Sequence, residues 1–138
     1  MNKQIAALAT DEKNIVMWDM DALLLDCQDR PYTVVDTERL IPQSWLTIDE
    51  RYAMTTDVTK PILVFALPDG QWYIADGNHR LYRAAAEKIP TMRVILVPQE
   101  MHLSYLFRSS VEDYHRVVEG LKDEGIFVRA LGASIGGN

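Results

Sequence analysis

Short apolar blocks alternate with turn-forming clusters through the middle of the chain. Ile62-Leu63-Val64-Phe65-Ala66-Leu67 precedes Pro68-Asp69-Gly70, and Gln71-Trp72-Tyr73-Ile74-Ala75 follows it. Two β-rich runs around an Asp-Gly step predict a β-hairpin over 62–75. Period-two alternation sends Trp72 and Ile74 to the face opposite Tyr73. The period then changes. From about 78 to 88, Leu81, Ala84, Ala85 and Lys88 fall along one side of a helix, with Tyr82, Ala86 and Ile89 beside them. Three alanines let that helix lie close to a sheet. Arg83 and Glu87 make an exposed i, i+4 pair, and Ile89-Pro90 stops the helix. Residues 92–97 return to a strand pattern.

The flanks are patterned less sharply. Residues 32–35 are β-rich, and Asp36 or Thr37 can cap a short helix ending near Pro42. Thr47-Ile48-Asp49-Glu50 has the spacing of a capping box and predicts another helix. Ser109-Ser110-Val111-Glu112 opens a third, with Val111, Tyr114, Val117, Val118 and Leu121 on one face and an end near Gly125. Residues 15–18 read as a strand, and 21–25 fit either a helical turn or a strand. Residues 1–13 read as a loosely held terminus or a short helix, and 132–138 as a closing tail. The expected fold is α/β (α+β): a small mixed β-sheet built on the hairpin and the 92–97 strand. Helices near 78–88 and 110–124 flank it.

Composition narrows the class. With 138 residues the chain fits one domain with a real core. Its 48% apolar and 25% charged residues suit a folded, water-exposed protein. No apolar run approaches the length that spans a bilayer, and residues 1–9 are too weakly patterned for a signal peptide. Cys27 is the sole cysteine, which excludes an intrachain disulfide or a multi-cysteine metal site. A cytoplasmic protein is expected. The net charge of −6, without a basic run, argues against direct DNA binding by this chain.

The chemistry concentrates at Asp76-Gly77-Asn78-His79-Arg80, between the second hairpin strand and the following helix. A strand that feeds directly into a helix leaves backbone N–H groups free at the positive end of the helix dipole. Asn78 can cap the helix, and His79 and Arg80 add side-chain donors. Arg also grips a phosphate through two parallel hydrogen bonds. The turn therefore suits a nucleotide phosphate. The plainer reading is a strand–turn–helix junction with a solvated Arg.

Together the hairpin, the 76–85 turn and helix, and the strand after it resemble the ParB/sulfiredoxin superfamily. In that superfamily a Gly-x-x-Arg turn opens a helix and holds nucleotide phosphates. The resemblance covers 32–98 and is strongest over 61–97, with 35–42 similar to the strand and short helix that lead into the family's core. It implies an N-terminal extension (1–31), a ParB/sulfiredoxin-like core (32–98) and a C-terminal helical extension (99–138) of the same domain. It also implies a bound nucleotide (ATP, ADP or CTP), with Mg²⁺ as an accompanying ion. Asn78 stands where sulfiredoxins carry their nucleophilic Cys, which removes that chemistry. Asn78 and His79 stand where ParB partition proteins carry Glu and Arg, which weakens the case for CTP hydrolysis. The Asp-Gly-x-His-Arg form also resembles the superfamily's free-serine kinases. In such a kinase the catalytic carboxylate would come from Asp36, Glu38, Asp49 or Glu50.

Other signals carry less. Asp19, Asp21, Asp26 and Asp29 read as a solvated acidic face, lacking the order of a calcium loop. His102 and His115 are too far apart for a helical metal pair and read as isolated surface or half-buried imidazoles. Gly132-Ala133-Ser134-Ile135-Gly136 matches a nucleophile elbow by letter, without the helix such an elbow needs. Trp18, Trp45 and Trp72 read as core or groove residues. Three functions follow. The first is a stand-alone nucleotide-binding module with a regulatory or partner-binding role. The second is a phosphotransferase or nucleotide hydrolase of the same fold. The third is an interaction protein without a nucleotide site, its acidity suited to a basic protein partner.

Overall fold

The computed structural model describes residues 3–41, 48–124 and 130–134. Its elements run β1 (Ile5–Ala9), β2 (Ile15–Asp19), α1 (Met20–Asp26), β3 (Thr33–Asp36), α2 (Thr37–Leu40) and α3 (Glu50–Ala53). They continue through β4 (Ile62–Ala66), β5 (Trp72–Asp76), α4 (Asn78–Ala86), β6 (Thr91–Val97), α5 (Gln99–His102), α6 (Val111–Glu124) and β7 (Ala130–Ser134). A 3₁₀ turn at Pro68–Gly70 closes the β4–β5 hairpin, and a second follows α5 at Leu103–Tyr105.

The fold is α/β with a mixed sheet, as the hydrophobic pattern predicts. Four strands lie in the order β3-β6-β4-β5. β4 runs parallel to β6 and antiparallel to β5, and β3 is antiparallel to β6. A parallel β4–β6 pair needs a crossover, which β5 and α4 supply. Alternation along the strands gives the sheet two buried faces. Ile62, Val64, Met92 and Val94 point to one face, where Leu81 and Ala84 of α4 pack with Val35 and Leu40. Trp72 and Ile74 pack against the same aliphatic layer. Leu63, Phe65, Tyr73, Ala75 and Val97 point to the other.

That second face is covered by a sheet the sequence did not predict. β1 lies between β2 and β7, antiparallel to both. Residues 5–9 are thus a central strand rather than a loose terminus or a short helix, and 130–134 form a strand in what reads as a tail. The alternating burial of β1, with Ala6 and Leu8 fully buried, gives the reason. Three small alanines weaken the β signal of this segment, and its partner strands supply the burial that propensity does not. Trp18 of β2 fills the centre, in edge contact with Phe65, His102 and Tyr114 and stacked near Tyr73. Tyr73 ties the two sheets together by donating its hydroxyl to the Ala7 carbonyl at 3.0 Å.

The caps refine the expected elements. The ambiguous 21–25 segment is helical, because the Asp19 carboxylate accepts from the Ala22 N–H. Asp49, not Thr47, caps α3, its carboxylate accepting from the Tyr52 N–H at 3.1 Å. Thr47, Pro42, Trp45 and Gly125 lie outside the described residues. Ser110 and Asp113 form the reciprocal box that opens α6, so Asp113 rather than Glu112 completes it. α4 ends in a Schellman pattern, with Lys88 at φ 55° and N–H groups of Lys88 and Ile89 returning to Ala85 and Ala84.

Candidate functional site

β5 ends at Asp76, and the chain enters α4 through Gly77 at φ 104° and ψ 14°. This is a backbone conformation that side chains other than glycine's resist. Gly77 is the N-cap of α4 and has no side chain to close it, so the N–H groups of Asn78, His79 and Arg80 have no intrahelical acceptor. Leu81 donates the first helical bond, to the Gly77 carbonyl at 2.9 Å. Asn78 does not cap the helix as expected. It occupies the first helical position, where its amide points back to the Ile74 carbonyl at 3.5 Å.

Arg80 is the most constrained side chain of the turn. Its Nη2 donates to the Pro61 carbonyl at 3.1 Å and to Asp76 Oδ2 at 3.3 Å. Both charged side chains are nearly buried, at 12% and 11% exposed. The guanidinium folds back over the glycine. A Cβ on Gly77 would stand 2.9 Å from Arg80 Nη2 and 3.2 Å from Ile62 Cγ1. Glycine therefore serves both the turn and the seat of the arginine. Asp76 acts on Arg80 rather than on an incoming anion, holding the cation at the turn.

His79 faces elsewhere. It is buried, its Nε2 accepts from the Asp49 N–H at 3.2 Å, and Tyr52 meets its ring edge-on at 4.9 Å between centroids. An Nε2 that accepts leaves the ring proton on Nδ1. His79 Nδ1 and Arg80 Nε are buried with no hydrogen-bond partner among the described residues. Of the two, Arg80 Nε lies at the turn, 3.3 Å from where a Cβ on Gly77 would stand; an orphaned buried donor beside open helix N–H groups is what an anion-binding turn would leave. On that observation the residues fit a phosphate.

A groove of about 420 Å³ opens beside the turn. Arg80 and Asp76 form one end of its lining, with Lys60 and Pro61 beside them. Its other wall is α1 and the residues just after it, Leu24, Cys27 and Gln28, over Leu63 and Ile95 of the sheet. Sequence reasoning missed this assembly. Lys60 had no motif around it, and Cys27 is remote from the turn along the chain. The Cys27 thiol is itself buried, and desolvation pushes its pKa up; nearby Arg30 offsets that only in part.

The four carboxylates expected as catalytic candidates scatter. Asp36 and Glu38 sit exposed at the start of α2. Asp49 is engaged as the α3 cap, and Glu50 bonds Tyr82, raising that phenol's pKa first through desolvation and then through this bond. None of them lines the groove. Among the described residues no group of three or more His, Cys, Asp or Glu could hold a metal ion.

Several secondary signals resolve into structure. The acidic stretch is used locally: Asp19 also pairs with Lys3 at 2.9 Å, Asp21 accepts from the Gln4 N–H, and Asp26 bonds Tyr105. His102 is fully buried, not a surface or half-buried imidazole. It stacks on Phe65 at 4.6 Å and donates Nε2–H to the Ala66 carbonyl at 2.8 Å. Burial lowers its pKa, so it sits neutral in the core. Ser134 lies in β7 rather than on an elbow. No helix among the described residues is long and apolar enough to cross a membrane. No protein-family model matches the chain, and no curated protein or solved structure matches it either.

Proposed function

We propose that the chain is a ParB/sulfiredoxin-like nucleotide-binding module that holds the phosphates of ATP, ADP or CTP at the Gly77–Arg80 turn. One observation carries this reading. Arg80 is fixed across a glycine-capped helix N-terminus whose first N–H groups have no intrahelical acceptor. Such an array favours negative charge on the ligand, because the helix N-terminus and the guanidinium are both positive. Asp76 positions Arg80, Gly77 leaves room for its guanidinium at the turn, and Mg²⁺ accompanies the nucleotide. The orphaned Nε of Arg80 is a further buried donor at the same turn.

A regulatory or partner-binding role suits the site better than turnover. The candidate carboxylates are exposed or committed to caps, and none reaches the groove. The location is cytoplasmic, consistent with a single buried, unpaired cysteine. A protein, not DNA, is the expected partner of a chain with net charge −6.

Calorimetric titration of ATP, ADP and CTP with Mg²⁺, on wild type and Arg80→Ala, tests this. Removing Arg80 should cost about 1.5–3 kcal/mol of binding, the range of a charge-assisted hydrogen bond. That is roughly tenfold to a hundredfold in affinity. A thermal melt run alongside separates lost binding from lost folding, since Arg80 also holds Pro61. Equal binding by both proteins would move the ligand elsewhere. No binding at millimolar nucleotide would leave the interaction-protein reading in its place.

A further inference from the structure

We infer that the N-terminal unit completes the ligand site: the groove between α1 and the four-stranded sheet takes the nucleoside half of the nucleotide. This inference rests on the phosphate reading of the turn and extends it. Arg80 belongs to both places. It lies over Gly77 and lines the groove, so a ligand held by Arg80 at its phosphate end has the groove directly beside it.

The chemistry of the walls fits such a body. Leu24, Pro61, Leu63 and Ile95 offer an apolar slot for a flat ring. Its volume of about 420 Å³ lies within the range typical of small-molecule sites. Polar groups stand at the margins. Lys60 beside the Arg80–Asp76 pair leaves a net positive charge near the phosphate end, and exposed Gln28 supplies an amide that both donates and accepts. A free phosphate or pyrophosphate would use the turn alone and leave this slot unfilled. The occupant that matches charge at one end and an apolar slot beyond it is a nucleoside di- or triphosphate.

Gln28 and Cys27 give two independent ways to test the groove without any assay of activity. Gln28 is exposed, so Gln28→Trp can fill the slot without disturbing the core. Calorimetry should find nucleotide binding weakened at least tenfold in Gln28→Trp, with pyrophosphate binding unchanged. Cys27 is the chain's one thiol, so iodoacetamide labelling followed by intact mass reads the groove alone. A nucleotide at ten times its Kd should slow labelling about tenfold by mass action. Pyrophosphate at an equal multiple of its own Kd should leave labelling unchanged.

The outcomes separate the two readings. If nucleotide and pyrophosphate bind alike, and Gln28→Trp weakens neither, the turn binds phosphate and the groove does not bind the nucleoside. If neither ligand binds wild type, the phosphate reading falls and this one falls with it. If Gln28→Trp binds nucleotide as tightly as wild type, or bound nucleotide leaves Cys27 labelling unslowed, the nucleoside lies outside the groove.

Discussion

The two buried faces of the four-stranded sheet are built by different means. The face under α4 is aliphatic: Val35, Leu40, Ile62, Val64, Leu81, Ala84, Met92 and Val94. All of these come from one contiguous stretch of about sixty residues, and α4 packs on β4, with α2 and α3 beside it. The opposite face is aromatic and remote in origin. Trp18 from β2, His102 from α5 and Tyr114 from α6 close on Phe65 and Tyr73 of the hairpin. The turn that opens α4 meets the aliphatic face at Ile62, whereas the apolar lining of the groove, Leu24, Cys27, Leu63 and Ile95, belongs to the aromatic face. A site placed there depends on a core made locally and on one assembled across the chain.

Substitutions on each face can break that contrast. Trp18→Ala should be the most damaging, costing about 3–5 kcal/mol in urea unfolding, because a fully buried ring shared by four aromatic neighbours is removed. Trp18→Phe should cost much less, since Trp18 Nε1 has no acceptor among the described residues. A larger loss from Leu81→Ala than from Trp18→Ala would reverse the ranking of the two faces.

Gly77→Ala comes next, at about 2–3 kcal/mol, combining backbone strain with the crowding of Arg80 and Ile62. Gly70 also has positive φ, at 75°, but a Cβ there meets open space. Gly70→Ala should therefore cost only about 1 kcal/mol, from the backbone alone. Equal losses at the two glycines would remove the argument that Gly77 seats the arginine.

The aromatic face should also be sensitive to acid. His102 is held neutral, with its pKa lowered by burial from the ordinary 6.5. The unfolded chain therefore binds this proton more readily than the folded one. The contribution is fully present above pH 6.5 and is lost as pH falls from there through the folded value. Urea unfolding at stepped pH should reveal this loss, no steeper than about 1.4 kcal/mol per pH unit from one histidine. His102→Gln, which keeps a donor for Ala66, should flatten that part of the profile. An unchanged slope would assign it to other groups.

The smallest effect belongs to the aliphatic side. Lys88→Gly at φ 55° should stabilise by about 1 kcal/mol by relieving a left-handed lysine at the end of α4. Destabilisation would mean that the lysine side chain contributes more than its backbone strain removes.

How much was legible in the sequence follows the same division. The hairpin, α4 and β6 could be read directly, because each carries its own periodicity and its own stop signal. So could the opposed facing of Trp72 and Tyr73. β1 could not, since Ile5-Ala6-Ala7-Leu8-Ala9 has little β propensity and is fixed by partners at 15–19 and 130–134. At the site, Gly77 and Arg80 were legible as a turn with a cation. The roles of neighbours were not. Asn78 turns back toward the strand, His79 reaches Asp49 rather than the turn's open side, and Lys60 and Cys27 arrive through packing alone.

The place of β1 also sets an order of assembly. Its pairing with β7 joins Ala6 to Ser134, so the three-stranded sheet stays a two-stranded hairpin until residues 130–134 arrive. Closing so long a loop is slow compared with forming β4–β5–α4–β6 from neighbouring segments. During synthesis the Gly77–Arg80 turn can therefore form while β1 still has one free edge. An unpaired edge of this kind is a point where chains associate wrongly. Folding yield should depend on the last strand more than the native contacts of the turn would suggest.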